Sequence, residues 1–261
     1  YAAVRPLYHK REEICIALEQ QLRLHGICRL TYPELAPTEQ KYAAQYFRAS
    51  IAPVLSPQIV DTHHPFPHLK NKTIHVGAWV KFKSREVFAV VPLPDALPPV
   101  LFLPGSEVRY IHMEELLFAF FEQVFPGYTV LEKVVFCVTR NADINPEDEA
   151  FDFDDDDFRK KMKKALKLRM RLAPVRLELS RPISPAFSAY LQERLPIQEE
   201  QMFVTAAPLK LEYVFSLAGR LPDIKRRALP YPEFTPCLTA GIHPKESMIR
   251  QVMRRDRLLS Y

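Results

Sequence analysis

Apolar residues interleave with charged ones over residues 6–26, where Ile14, Ile16, Ala17, Leu18, Leu22 and Leu24 predict a helix and Gly26 is placed to stop it. A second helix is predicted over 38–49, with Thr38 as N-cap and Ala43, Ala44 and Phe47 on its apolar face. Pro53 and Pro57 break that pattern, and a domain boundary is predicted near Leu55–Ser56. Runs rich in Val, Ile and aromatics then predict strands over 74–81, 87–92 and 108–112. Residues 113–124 read as an apolar helix closed by Phe125-Pro126-Gly127, and 129–139 as a long strand around Val134, Val135, Phe136 and Val138. A helix over 158–172, a strand over 175–179, and then helix, strand and helix over 185–194, 202–206 and 209–218 complete the middle of the chain. The stretch 219–244 reads as a proline-rich linker or surface arm, and 245–259 as an amphipathic helix with Met248, Ile249, Val252 and Met253 on one face. Short strands interleaved with helices argue for an α/β or α+β domain.

Composition narrows the picture. The 261 residues include 6 glycines beside 24 prolines, so connections are set by proline and glycine-rich phosphate loops are not expected. There is no apolar run of the ~18–20 residues that a membrane helix needs, and no signal-peptide pattern at the N-terminus. The chain opens at Tyr1 inside a helical pattern, so an upstream part is expected. Cys15, Cys28, Cys137 and Cys237 form no C-x-x-C pair and are expected to be reduced and mostly buried. The net charge of +5 sits near the C-terminus, where a positive face could meet a polyanion.

The charged block 143–171 runs from acids to bases. Asp152, Asp154 and Asp156 have the spacing of a calcium loop, but Asp157 stands where glycine is needed and Lys163 where a bidentate glutamate is needed. A solvated helix explains the block better, because acids suit its start and bases its end. The one histidine cluster, His63, His64 and His68 among prolines, lacks partners for a zinc set and reads as turn-stabilising. No P-loop, G-x-G-x-x-G or G-x-S-x-G pattern occurs, so by motif the chain is a binding or assembly module. On the last helix Arg250 and Arg254 share a face, with Arg255 and Arg257 beside them. Such a run usually marks a solvated face, the other reading being contact with a phosphate chain or another domain.

Ile51-Ala52-Pro53-Val54-Leu55-Ser56-Pro57, His64-Pro65-Phe66-Pro67 and Phe136-Cys137-Val138-Thr139-Arg140-Asn141-Ala142-Asp143, taken in order, resemble the polyphosphate kinases of the large, histidine-phosphorylated type. Ile51-Ala52-Pro53-Val54-Leu55-Ser56-Pro57, Asp61 and His64-Pro65-Phe66-Pro67 are similar to the junction between that family's first and second domains. Phe125-Pro126-Gly127 and Phe136-Cys137-Val138-Thr139-Arg140-Asn141-Ala142-Asp143 resemble its head domain. Pro232-Glu233-Phe234-Thr235-Pro236 and Ile249 to Leu259 resemble the approach to its first catalytic domain.

The resemblance implies an α+β fold: a helical N-terminal remnant, then a mixed head domain with a mainly antiparallel sheet flanked by helices. It implies residues 1–55 as the end of the N-terminal domain, 56–240 as the head and 241–261 as a helix leading to catalytic domains. The family moves the terminal phosphoryl of ATP to a histidine and on to polyphosphate, with Mg2+; no catalytic residue of it has a counterpart here, and no metal or cofactor is expected on this chain. Arg250, Arg254, Arg255, Arg257 and Arg140 are the candidates for the polyphosphate path. His64, Pro65, Phe66, Pro67, Thr139 and Asp143 are motif residues with an expected structural role. The expected partners are a second copy through the head, and ATP, ADP and polyphosphate in the intact enzyme, with no nucleic acid and no transmembrane segment. The expected place is the cytoplasm, with peripheral association at the inner membrane allowed. The alternative is a stand-alone basic module that binds nucleic acid or regulates.

Overall fold

The first predicted helix forms as α1 (Arg5–Leu24). His25 and Gly26 close it with backbone bonds to Leu22 and Arg23, and Gly26 takes φ +75°, a left-handed conformation that glycine adopts without Cβ strain. This computed structural model describes residues 1–141 and 173–220. After α1 come β1 (Ile27–Leu30), α2 (Pro37–Tyr46), β2 (Gln58–Val60), β3 (Ile74–Phe82), β4 (Arg85–Pro92), β5 (Val100–Phe102) and β6 (Val108–His112). Then follow α3 (Met113–Ala119), α4 (Phe121–Val124), β7 (Thr129–Arg140), β8 (Pro174–Leu179), α5 (Pro185–Arg194), β9 (Met202–Val204) and α6 (Tyr213–Ala218). The predicted helices at 158–172 and 245–259, and the linker beyond residue 220, lie outside the described residues.

The long strands and the helix 185–194 form where the pattern put them, and the differences have local causes. Helix α2 starts on Pro37 rather than being capped by Thr38, because proline suits the first helical position and the Glu39 carboxylate takes the Ala36 N–H. It gives way to a π turn over Phe47–Ile51 and a 3-10 turn over Ala52–Val54, since Pro53 has no N–H to continue the ladder. The predicted helix 113–124 breaks at Phe120, which leaves the helical region at φ −100° and ψ 13°. Strands β1, β2 and β5 were not visible as strands in the sequence.

The fold is α+β. Strands β2, β4, β3, β7, β8 and β9 form a six-stranded sheet in that order, antiparallel except for the β8–β9 pair. A second sheet, β1-β6-β5, pairs β1 parallel to β6. The large sheet is covered on both faces. On one, Val76, Ala78 and Val135 pack with Phe47 and Ile51, with Leu116 and Leu117 of α3, and with Phe121 of α4. On the other, Phe88, Val134, Phe136 and Val138 pack with Phe187 and Leu191 of α5. A third cluster sets Leu22 of α1 and Tyr213 and Leu217 of α6 against Tyr110 and Ile27 of the small sheet. The point near Leu55 follows the 3-10 turn, and buried residues on both sides of it share the first cluster.

Gly77 sits where the two central strands bring aromatic rings against the backbone. A Cβ there would lie 2.7 Å from Phe136 and 2.9 Å from Phe88, both buried. Gly77→Ala is expected to destabilise by about 1–3 kcal/mol, since neither ring can withdraw without opening the core; urea unfolding measures it, and an unchanged midpoint would contradict the packing described.

His75 is stacked on Phe136 and bonds through Nδ1 to the Thr73 carbonyl. Burial pushes its pKa down from 6.5 to about 4. The unfolded chain therefore takes up a proton as pH falls below about 6.5 that the folded chain refuses until about 4. Stability is full above the window and falls through it, by about 3 kcal/mol at its lower end. In His75→Phe the slope of unfolding free energy between pH 6.5 and 5 should flatten.

Candidate functional site

The motif turn after β2 is built around one carboxylate. Asp61 Oδ1 accepts from the backbone N–H groups of His63 and His64 at 2.8 Å each, and lies 2.9 Å from His64 Nδ1. The Asp61 N–H donates back to the His64 carbonyl at 3.0 Å. The His63 and His64 N–H groups, then the His64 ring, hold the Asp61 carboxyl below the usual carboxylate range. Pro65 is exposed, and Phe66 turns inward to stack on Phe88 with ring centres 5.8 Å apart. Pro67 lies along a small cleft with Lys70, His75 and Asp95. The turn thus anchors chain to sheet.

The second motif closes β7. Arg140 is buried; its Nε donates to the Leu69 carbonyl at 2.8 Å and its backbone N–H to Asn71 Oδ1 at 2.9 Å. Burial lowers the affinity of this guanidinium for its proton. Thr139 Oγ1 accepts from Arg176 at 3.1 Å. The structure thus brings Thr139 and Arg140 to one end of the sheet, beside the turn 70–73, while Phe66 packs on Phe88 of β4. Asp143, Arg250, Arg254, Arg255 and Arg257 lie outside the described residues.

Beside Thr139 is a buried ionic network that sequence reasoning missed. Glu178 Oε1 accepts from the Tyr8 hydroxyl at 2.7 Å and lies 3.4 Å from Arg11, while its other oxygen lies 3.4 Å from Arg176. Arg11 also reaches Thr205 Oγ1 at 3.1 Å. Burial, then the bond to Glu178, raises the Tyr8 pKa well above its ordinary value. The only available signal was the alternation Val175-Arg176-Leu177-Glu178, which puts both charges on one face of a strand. Near α6, His112 Nδ1 meets Glu114 at 3.0 Å, and its ring stands edge-on to Tyr213 with centres 4.4 Å apart. Its Nε2 is buried without a hydrogen-bond partner. Cys137 is buried, which pushes its thiol up to about 11, while Cys15 and Cys28 are half-buried.

A groove of about 960 Å³ lies beside β2 and the first half of β4. Trp79, Phe82, Tyr128 and Tyr190 line it, with Arg85 and Arg194. Among the described residues no three His, Cys, Asp or Glu side chains come together as a metal set. The His64–Asp61 contact belongs to a turn, and the other charged clusters are engaged in packing. Among the described residues no helix is long and apolar enough to cross a membrane.

Comparison with known proteins gives a consistent result. Residues 38–217 match a family model described as the polyphosphate kinase middle domain. A polyphosphate kinase of Bacillus anthracis is 31% identical over 249 residues, covering 92% of this chain and 35% of its own length. One from Streptomyces coelicolor is 32% identical over 234 residues, covering 89% of this chain and 29% of its own length. The crystal structure of polyphosphate kinase from Porphyromonas gingivalis has a similar fold, with a TM-score of 0.65 at 19% identity over 95% of this chain and 36% of that one. The chain thus spans 35% of the length of the Bacillus relative, about a third. Matched through its middle by the family's own domain and along nearly all its length by relatives about a third identical, this chain belongs to the polyphosphate kinase family.

Proposed function

We propose that this chain is the non-catalytic head region of a polyphosphate kinase that reversibly moves the terminal phosphate of ATP onto polyphosphate through a phosphohistidine. The observation that carries the reading is the middle-domain match over 38–217. The side chains described above support it, because they form turns, ion pairs and packing rather than a nucleophile with its base. In this reading 1–55 ends the N-terminal domain, 56–240 is the head and 241–261 leads to catalytic domains. ATP and Mg2+ then act elsewhere in the whole enzyme, which works in the cytoplasm or at the inner membrane surface. Arg250, Arg254, Arg255 and Arg257 are candidates for lining the polyphosphate path, since guanidinium forks suit phosphate oxygens.

The head also pairs subunits in this reading. Support comes from the apolar surface at α6, where Phe215 is 80% exposed beside exposed Val214 and Leu211. Contiguous apolar surface of this kind marks contact sites.

The 261-residue chain given ATP and Mg2+ should make no polyphosphate, while the full-length enzyme makes it; synthesis by the purified chain would overturn the non-catalytic role. Sedimentation at tens of micromolar should show self-association, weakened in Phe215→Glu. A monomeric mass throughout would remove the pairing role.

A further inference from the structure

The aromatic wall of the groove beside β4 is assembled from three separate parts of the chain. Trp79 comes from β3, Phe82 from its end, Tyr128 from the turn before β7, and Tyr190 from α5. The rings are already ordered against one another: Trp79 and Tyr190 centres are 4.8 Å apart, and Phe82 and Tyr128 centres 4.9 Å apart at 31°. Trp79, Tyr128 and Tyr190 are half-buried and Phe82 is 41% exposed, so ring surface remains open to the groove.

Cations stand at its rim. The Arg194 guanidinium lies 5.3 Å from the Tyr190 ring centre, and the Lys83 ammonium 5.5 Å from that of Phe82. Arg85 lines the wall. None of these three forms an ion pair with a carboxylate among the described residues. Of the carboxylates in the wall, Asp61 is held by the His64 turn and Glu86 sits on the β4 edge. Arg85 and Arg194 are exposed, so neither is needed to hold the core.

Aromatic faces beside guanidinium groups that hold no carboxylate recognise a ligand that has both a flat ring and phosphate. The ring stacks in a sequence-tolerant way, and the forks take the phosphate oxygens with two bonds each. A phosphate chain alone gains nothing from the rings, and an apolar peptide gains nothing from the arginines. The volume lies at the upper end of the range of about 300–1,000 Å³ for small-molecule sites. We infer that this groove binds a nucleoside polyphosphate, its base against the Trp79–Tyr190 pair and its phosphates toward Arg85 and Arg194.

Trp79 is the only tryptophan of the chain, so its fluorescence reports on the groove alone. Titration of the 261-residue chain with adenosine triphosphate should quench it saturably. The Arg85→Ala/Arg194→Ala double variant should bind about tenfold more weakly or worse, with unchanged melting temperature. Tyr190→Leu should also weaken binding, and inorganic triphosphate should compete poorly. Absence of saturable quenching would overturn the inference. So would equal binding by the double variant, or inorganic triphosphate binding as tightly as the nucleotide. Polyphosphate synthesis by the full-length enzyme tests the family reading separately and does not bear on the groove.

Discussion

Burial of the large sheet on both faces constrains the rest of the molecule. In an antiparallel sheet one face commonly meets water, and alternate side chains are polar. Here β3 and β7 carry apolar side chains to both sides, so the chain must supply a cover for each. The segment 37–55 with α3 and α4 covers one face, and α5 with the Phe66 turn covers the other. That demand explains why residues far apart in sequence share one interior. It also explains Gly77: with Phe136 and Phe88 folded over the strand from its neighbours, the central position has no room for a side chain.

Where the apolar cover stops, polar chemistry takes over in a controlled way. Toward β8 and β9 the same face is closed by α1, and the contact is ionic. Glu178 is 4% exposed, and a carboxylate so buried is tolerable only when paired and hydrogen-bonded. Tyr8, Arg11 and Arg176 supply that pairing, and Tyr8 stacks on Phe203 with centres 4.4 Å apart. Because removing one partner would strand a buried charge, the network fixes where α1 lies on the sheet. Arg140 follows the same logic, its guanidinium satisfied by the Leu69 carbonyl at the end of β7.

Where the described residues contain the quoted motif runs, their side chains bond and pack within the fold. Asp61 and His64 lock a turn, Phe66 plugs a core, and Thr139 and Arg140 staple strand ends. Among the described residues, the apolar side of α6 and the aromatic groove with its arginines remain open at the surface.

Long strands and helices could be read directly from the sequence, because ten or so residues of periodic or β-branched character outweigh local ambiguity. Hence β3, β4, β7 and α5 appear where expected, and Gly26 ends α1. The ordered runs around Pro57, His64 and Thr139 likewise carried the family resemblance. Strands β1, β2 and β5 could not be seen, because three or four residues have no periodicity of their own and are extended only through pairing with β6 and β4. Nor could sequence reveal that Glu178 lies under Tyr8, 170 positions away, or that Trp79, Phe82, Tyr128 and Tyr190 converge on one groove. Those depend on strand order and on which face each strand turns inward, and both are set by contacts between segments rather than within them.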